Sequence, residues 1–158
     1  MKSSDFIYNR IKGVIVLNFY IASSFANIDS VRALSLSLKN DGYVQTYDWT
    51  QNERATLAQQ LKAIGEREKQ AVHDADIFIL LLPGGKGSHV ELGLALASNT
   101  KIFIHSLPGY EIDPSTFYYL DTITSVQSTL NELALSIKQW VQQHSYLFNE
   151  RSRPPLSI

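Results

Sequence analysis

Two kinds of hydrophobic pattern alternate along the chain. Apolar runs over residues 14–22, 77–82 and 102–104 are short and nearly continuous, as in strands that are buried on both faces of a sheet. Residues 43–49 alternate apolar and polar positions and predict a strand with one exposed face. A further short strand is predicted over residues 123–126. Each of these segments is too short to be an independent helix.

Between the predicted strands, apolar residues recur at helical spacing. Three stripes have this spacing: Ile28, Val31, Leu34 and Leu38, closed by Asp41-Gly42; Leu57, Leu61, Ile64, Ala71 and Val72; and Leu130, Leu133, Ile137, Trp140 and Val141. A fourth helix, starting near Val90, is apolar on almost every side and is predicted to be buried. This alternation predicts an α/β fold, a Rossmann-like (flavodoxin-like) open parallel sheet of about five strands with helices on both faces.

Composition narrows the classes of partner. A chain of 158 residues with 44% hydrophobic and 18% charged residues fits a single domain, with residues 1–12 and 149–158 peripheral or flexible. A net charge of −1 leaves no basic surplus for a nucleic-acid backbone, so no nucleic-acid partner is expected. The apolar runs are far shorter than the ~20 residues that cross a bilayer, so no membrane partner is expected either. Because cysteine and a signal-peptide pattern are both missing, we predict a cytoplasmic protein.

The turn after the third strand is the strongest candidate for a binding site, because ligands in open α/β sheets lie beyond the carboxyl ends of the strands. It comprises Pro83-Gly84-Gly85-Lys86-Gly87-Ser88, followed by a helix. Its three glycines allow the backbone to approach a ligand and to aim N–H groups at an anion or a sugar. The phosphate-loop pattern does not fit, since Gly87 separates Lys86 from Ser88. An ordinary tight strand-to-helix turn is the alternative.

Two acidic residues stand where the pattern predicts burial. Glu91, at the mouth of the buried helix, is a candidate nucleophile or base facing the ligand crevice. Ser88-His89-Val90-Glu91 also fits a capping box, so the same carboxylate could serve as a cap. Glu68 lies within the second apolar stripe, where an acid is costly to bury unless it is paired. Glu68 either has a role in the site, or forms a partly buried ion pair, or lies where the apolar stripe widens near the helix end. A straight helix to Val72 would place Glu68 well below the strand ends, so a site role requires that this helix be tilted or broken.

Other polar and aromatic residues lie near the strand ends. The candidates are Tyr20, Ser23 and Ser24 after the first strand, Asp48 and Trp49 after the second, and His89 beside the glycine-rich turn. The serine hydroxyls could donate hydrogen bonds to a phosphate or a sugar hydroxyl. Trp49 could stack on a base or fill the core. His89 is a candidate for acid–base chemistry. The histidines lack metal-ligand spacing, so no metal site is expected. No cofactor is expected either. The segment Phe117-Tyr118-Tyr119-Leu120 suits a lid or an interface.

Several segments together resemble a known family. They are Tyr20-Ile21-Ala22-Ser23-Ser24-Phe25, Asn27, Val31, Gly42-Tyr43, Asp48-Trp49, Ala75-Asp76-Ile77 and Glu91-Leu92-Gly93. Over roughly residues 15–105 their order and spacing are similar to the nucleoside 2-deoxyribosyltransferase-like superfamily. The resemblance implies that residues 1–158 form one such domain, which cleaves the N-glycosidic bond, or exchanges the base, of a nucleoside or nucleoside 5′-monophosphate. It implies that Glu91 is the nucleophile, that Tyr20 positions it, and that Glu68 and Ser24 match the family's acid and phosphate-binding serine. It also implies a homodimer or a higher homo-oligomer.

The glycine-rich turn departs from that family and resembles a second one. Gly85 stands where the transferases carry Asp and the nucleotide hydrolases carry Ser. Residues 83–91 are also similar to the P-G-G-x-G-T-x-x-E motif of the cytokinin-activating phosphoribohydrolases (lysine-decarboxylase-like proteins), although their glycine-rich first-strand turn is missing. Both resemblances imply N-ribosyl chemistry at Glu91. A non-catalytic sensor of a nucleotide derivative and an assembly protein are the alternatives from other functional classes.

Overall fold

Five strands and four helices make up residues 16–145, the part of the chain that the computed structural model describes. In chain order these are β1 (Asn18–Ala22), α1 (Ile28–Asn40), β2 (Val44–Gln45), α2 (Ala58–Asp74), β3 (Ile77–Leu81), α3 (Lys86–Ala97), β4 (Lys101–Ser106), β5 (Ile123–Gln127) and α4 (Leu130–Gln143). Single turns of 3-10 helix occur at Phe25–Asn27, Trp49–Gln51 and Thr116–Tyr119.

The strands form one sheet in the order β2-β1-β3-β4-β5, and every neighbouring pair is parallel. The predicted α/β class with a five-stranded parallel sheet is therefore confirmed. The helix α1 packs against α4, and α2 packs against α3. Because crossovers between parallel strands are right-handed, these two pairs cover opposite faces of the sheet. The strand order reverses direction between β1 and β3, and the crevice at the carboxyl ends of two such strands is where open α/β sheets generally bind ligands.

The central strands are the core of the molecule. Each residue of β3 is buried, and so are the last four of β1 and the last five of β4. Burial on both faces explains their near-continuous hydrophobic runs. The ring of Tyr20 stacks on that of Phe78, which lies opposite it in the β1–β3 register, at a centroid distance of 6.0 Å. Tyr20 is thus a core residue as well as a site candidate.

Several predicted boundaries differ from the structure. The strand predicted over residues 43–49 comprises only Val44–Gln45, because the chain leaves the sheet edge and turns at Trp49. The first strand begins at Asn18, and the predicted residues 14 and 15 lie outside the described part of the chain. The prediction that α3 is buried on all sides was wrong: Val90 is 66% exposed. Among the helices of residues 16–145, none is long and apolar enough to cross a membrane.

Candidate active site

The site is built around a hydrogen bond between β1 and α3. Tyr20 Oη donates to Glu91 Oε1 at 2.9 Å, and the two residues are 71 positions apart in the sequence. The side chain of Tyr20 is fully buried and Glu91 is 8% exposed. A carboxylate in such a place is costly unless it is paired. The phenol is the hydrogen-bond partner that the described chain provides, and it fixes the direction in which the carboxylate points.

The capping box expected for Ser88 and Glu91 is not formed. The helix α3 starts at Lys86 with Gly85 as its N-cap, one turn earlier than the capping pattern required. Ser88 is therefore at the third helical position, where its Oγ accepts from the N–H of Gly85 at 2.9 Å. Glu91 lies in the second turn, beyond reach of the N-cap amide. Its burial is thus not explained by capping, which leaves the alternative of a role in the site.

Glu68 approaches this pair from α2, which packs against α3. It is half-buried, and burial raises the pKa of its carboxyl. Burial, followed by the charge of Glu68, raises the pKa of Glu91 to about 7, although the hydrogen bond from Tyr20 acts in the opposite direction. Burial and then the charge of Glu91 strongly raise the pKa of Tyr20, which keeps its proton. The structure therefore brings Tyr20, Glu68 and Glu91 together, and the helix geometry does not separate Glu68 from the other two.

The serines after β1 differ in how they are engaged. Ser23 Oγ donates to the carbonyl of Leu81 at 2.8 Å and accepts from Asn27 Nδ2 at 2.9 Å, which ties the end of β1 to the end of β3. The hydroxyl of Ser24 is buried and has no hydrogen-bond partner within residues 16–145. An unpaired buried hydroxyl costs roughly 1–3 kcal/mol. Of the two serines, Ser24 is thus the one with a hydroxyl free for a ligand.

The glycine-rich turn is held by its own hydrogen bonds. Ser88 Oγ accepts from the N–H of Gly85 and donates to the carbonyl of Ser23 at 3.0 Å. The hydroxyl of Ser88 and the N–H of Gly85 are therefore already engaged. At Gly84 a Cβ atom would lie 3.1 Å from Leu80 Cδ1 and 3.2 Å from the ring of His89, so a side chain would not fit easily. The peptide bond preceding this turn, Leu82–Pro83, is cis. At Gly85 and Gly87 the space for a Cβ atom is empty.

Asp48 and Trp49 stabilise the loop after β2. Asp48 accepts from the N–H and the hydroxyl of Thr50, at 3.1 and 2.6 Å. Burial opposes ionisation of Asp48, but these hydrogen bonds and one from Gln51 outweigh it and hold its pKa below the usual range. Trp49 is 6% exposed, and its indole N–H donates to the carbonyl of Ile21 at 2.7 Å. Of the two roles considered for Trp49, the structure favours the core filler.

Phe25 presents the exposed aromatic face that Trp49 lacks. It is 69% exposed and lies edge-on to the indole of Trp49 at a centroid distance of 5.5 Å. It directly follows the serines at the end of β1, at the rim of the ligand crevice. From the sequence, Phe25 was identified only as the last residue of the matched segment 20–25 and not as a site residue. A large aromatic residue immediately after strand-end serines is a signal that could have identified it.

His89 faces a different part of the molecule from Glu91. Residues two positions apart on an α-helix, such as His89 and Glu91, point in directions that differ by about 200°. His89 Nδ1 lies 2.7 Å from the carbonyl of Gly85, so it carries the hydrogen, and Nε2 lies 2.6 Å from Tyr118 Oη. This pair lines a cavity of about 250 Å³ together with Tyr110 and Asp113. Neither this cavity nor a neighbouring one of about 180 Å³ is lined by Glu91, Tyr20 or Glu68.

The segment 117–120 is partly a structural element. Tyr118 is buried within the segment that connects β4 to β5, and its contact with His89 was not foreseen. Phe117 and Tyr119 are 57% and 72% exposed, so the outer side of this turn fits the predicted lid or interface. In residues 16–145 no three His, Cys, Asp or Glu side chains are grouped as metal ligands would be.

Comparisons with known proteins identify the fold. No protein-family model matches the chain, and no curated protein matches it. Among solved structures, the chain is similar to the CMP N-glycosidase BcmB of Clostridium botulinum. The TM-score is 0.56 and the sequence identity 15%, and the match covers 77% of this chain and 98% of that one. At this identity the likeness shows a shared α/β fold.

Proposed function

We propose that this protein cleaves the N-glycosidic bond of a nucleoside or nucleoside 5′-monophosphate, with Glu91 as the nucleophile. The observation that carries the proposal is the buried Glu91 carboxylate, which Tyr20 orients at the switch point of the sheet. A glutamate buried without a capping role, with a pKa raised to about 7, is typical of an active-site group. A structure of the same fold is that of a CMP N-glycosidase, which supports the same reaction class here.

The chemistry follows from the charge that develops on the sugar. Cleavage of an N-riboside proceeds through an oxocarbenium-like state at C1′, which a carboxylate stabilises and then captures. An oxygen of Glu91 forms a bond to C1′ while the C1′–N bond breaks and its electron pair leaves with the base. Water then attacks C1′ of the ester and restores the carboxylate. In a transfer reaction, the nitrogen of a second base would attack C1′ in place of water. Glu68 accepts hydrogen bonds from sugar hydroxyls.

Two features fit the remaining parts of a nucleotide. The amides of Lys86 and Gly87 are in the first turn of α3, where N–H groups lack helical partners and the macrodipole favours an anion. Together with the Ser24 hydroxyl, after a change of rotamer, they would bind the 5′ end. Phe25 would take the base-stacking role first considered for Trp49. Because the Gly85 N–H is bonded to Ser88, it does not belong to this set.

The test is release of free base from a panel of nucleosides and their 5′-monophosphates, followed by chromatography. Wild type should release base from at least one of them, and Glu91→Gln should abolish release while the protein stays folded by circular dichroism. Glu66→Gln is the matched control, because Glu66 is exposed on α2 and pairs with Lys62. A 2′-fluoro substrate analogue should add one sugar to Glu91 by mass spectrometry. Ligand-dependent melting without turnover would support a sensor instead.

A further inference from the structure

Apart from Tyr20, the side chains brought together around the proposed nucleophile are two acids, Glu68 and Glu91. Neither Glu68 nor Glu91 forms an ion pair with a cationic side chain within residues 16–145, where the pairs are Lys62–Glu66, His73–Asp74 and Lys138–Asp41. Lys86 lies five positions before Glu91 on α3, about 140° away around the helix. The crevice therefore presents two carboxylates that no neighbouring cation of the described chain neutralises.

Within residues 16–145, the hydroxyl of Tyr20 and the ring of His89 are the hydroxyl and imidazole groups close to Glu91, and both are already engaged. The hydroxyl hydrogen of Tyr20 is donated to Glu91 itself, and the burial of the phenol keeps it there. The ring of His89 is held between Gly85 and Tyr118, on another side of α3. A neutral base needs a proton as it departs, because its anion is a poor leaving group. A base with a fixed positive charge departs as a neutral molecule and needs none.

Taking the proposed function as its basis, we infer that the preferred substrate is an N-riboside whose base carries a permanent positive charge, such as a pyridinium or an N7-alkylated purine. The two carboxylates attract the charged ring, and Phe25 offers a face for a cation–π contact at the rim. When Glu91 bonds to C1′, the electron pair of the C1′–N bond passes to the ring nitrogen and cancels its charge. Water supplies the hydroxyl that hydrolyses the ester, and one proton is released to solvent.

The experiment compares matched pairs of ribosides that differ in the charge of the base. Nicotinamide riboside is paired with its reduced form, and 7-methylguanosine with guanosine, each also as the 5′-monophosphate. Base release is expressed as kcat/KM divided by the uncatalysed rate, since charged ribosides are intrinsically more labile. We expect at least a ~100-fold advantage for the charged member of each pair, which is the scale of one close charge interaction in a partly buried site.

Glu68→Gln separates the charge effect from proton donation. If Glu68 acts by its charge, the variant should lose about 10-fold more activity on the charged ribosides than on the neutral ones, whose loss reports the sugar contact alone, whereas Glu66→Gln should change neither. If Glu68 is a general acid, the loss will fall on the neutral ribosides, which overturns the inference. Cleavage of neutral ribosides at equal or greater enhancement also overturns it and leaves the proposed function intact. No base release from any riboside overturns both.

Discussion

The hydroxyl of Tyr20 and the carboxylate of Glu91 are joined at 2.9 Å between the middle of a buried strand and the second turn of a helix. Both ends of this contact are held by the core: Tyr20 stacks on Phe78, and the residue after Glu91, Leu92, is 2% exposed. The carboxylate therefore points in a direction set by the sheet and not by a mobile loop. Such preorganisation is what a nucleophile needs when the sugar carbon must lie within bonding distance.

Replacing Tyr20 by Phe tests this contact. The hydrogen bond from Tyr20 lowers the pKa of Glu91, so its loss should raise that pKa above about 7 and leave less of the nucleophilic carboxylate at neutral pH. We expect kcat/KM at pH 7 to fall about 10- to 100-fold, the value of a hydrogen bond to a charged group. The rise of kcat/KM with pH, which in wild type should have a midpoint near 7, should move to higher pH.

Tyr119→Phe is the control for that variant, because Tyr119 is 72% exposed. Activity should also recover in part at alkaline pH in Tyr20→Phe, which a merely structural defect would not produce. An unshifted pH profile with full activity in Tyr20→Phe would contradict the positioning role of the phenol.

Much of the fold could be predicted because burial leaves a direct mark on the sequence. The runs that became β3 and β4 are apolar on both faces, and the stripes of α1 and α4 follow the helical period. The weakest prediction was the edge strand β2, which has one neighbour and only two paired residues, Val44 and Gln45. Its pattern of alternation is also produced by a loop that packs Trp49 inward.

The site was less predictable because its geometry depends on which of several possible partners each polar group bonds in the folded chain. The two possible N-cap residues, Gly85 and Ser88, are three positions apart, and the capping pattern at Ser88 was a reasonable signal for the wrong one. Gly85 is the N-cap instead, because Ser88 Oγ can bond both the N–H of Gly85 and the carbonyl of Ser23. The contact between His89 and Tyr118 crosses 29 positions and has no local signature. The approach of Glu68 to Glu91 likewise depends on how two helices pack.

Replacing Glu91 by Gln should stabilise the protein at neutral and alkaline pH. The pKa of Glu91 is raised from 4.5 to about 7 in the folded state, so the folded protein binds more protons than the unfolded chain between these values. The free energy of unfolding therefore falls as pH rises from about 4.5 to 7. With roughly 1.4 kcal/mol per pKa unit, ionisation of Glu91 costs about 3 kcal/mol above pH 7.

Thermal melting of wild type and Glu91→Gln at pH 5 and pH 8 measures this effect. The variant should melt several degrees higher than wild type at pH 8, and the difference should shrink at pH 5. Glu66→Gln, on the exposed side of α2, should show no such pH-dependent difference. A variant that is less stable than wild type at pH 8 would mean that Glu91 has a structural role that the amide does not fill.

We predict that the protein is a homodimer that uses the face of α2 and α3. Large apolar side chains are exposed on both helices: Leu57 (63%) and Leu61 (53%) at the start of α2, and Val90 (66%) on α3. The two helices pack against each other. A small monomer rarely exposes several large apolar side chains on two adjacent helices. The segment 117–120, predicted to form a lid or an interface, also exposes Phe117 and Tyr119. The apolar residues Tyr146, Leu147 and Phe148 favour an interface by their sequence as well, but they lie outside the described part of the chain.

Light scattering at micromolar concentration measures the mass. Wild type should have the mass of two chains or more, and Leu61→Glu combined with Val90→Glu should give a monomer. Leu36→Glu is the matched control, because Leu36 is 63% exposed on α1, on the opposite face of the sheet. A monomeric wild type would rule the dimer out, and dissociation by Leu36→Glu alone would assign the interface to the other face.

Ser24 should distinguish a nucleotide from its nucleoside. Its hydroxyl is buried without a partner, while the first-turn amides of Lys86 and Gly87 lie at the positive end of α3. A 5′-phosphate would gain hydrogen bonds worth roughly 1.5–3 kcal/mol each, so a nucleoside 5′-monophosphate should bind at least about tenfold more tightly than its nucleoside. In Ser24→Ala that ratio should shrink, while nucleoside affinity stays the same. Calorimetric titration of wild type and Ser24→Ala with both ligands measures this ratio. Ser23→Ala is a comparison variant that should instead lower the free energy of unfolding, because Ser23 ties β1 to β3. Equal affinities of wild type for the two ligands would show that this end of the crevice does not bind phosphate.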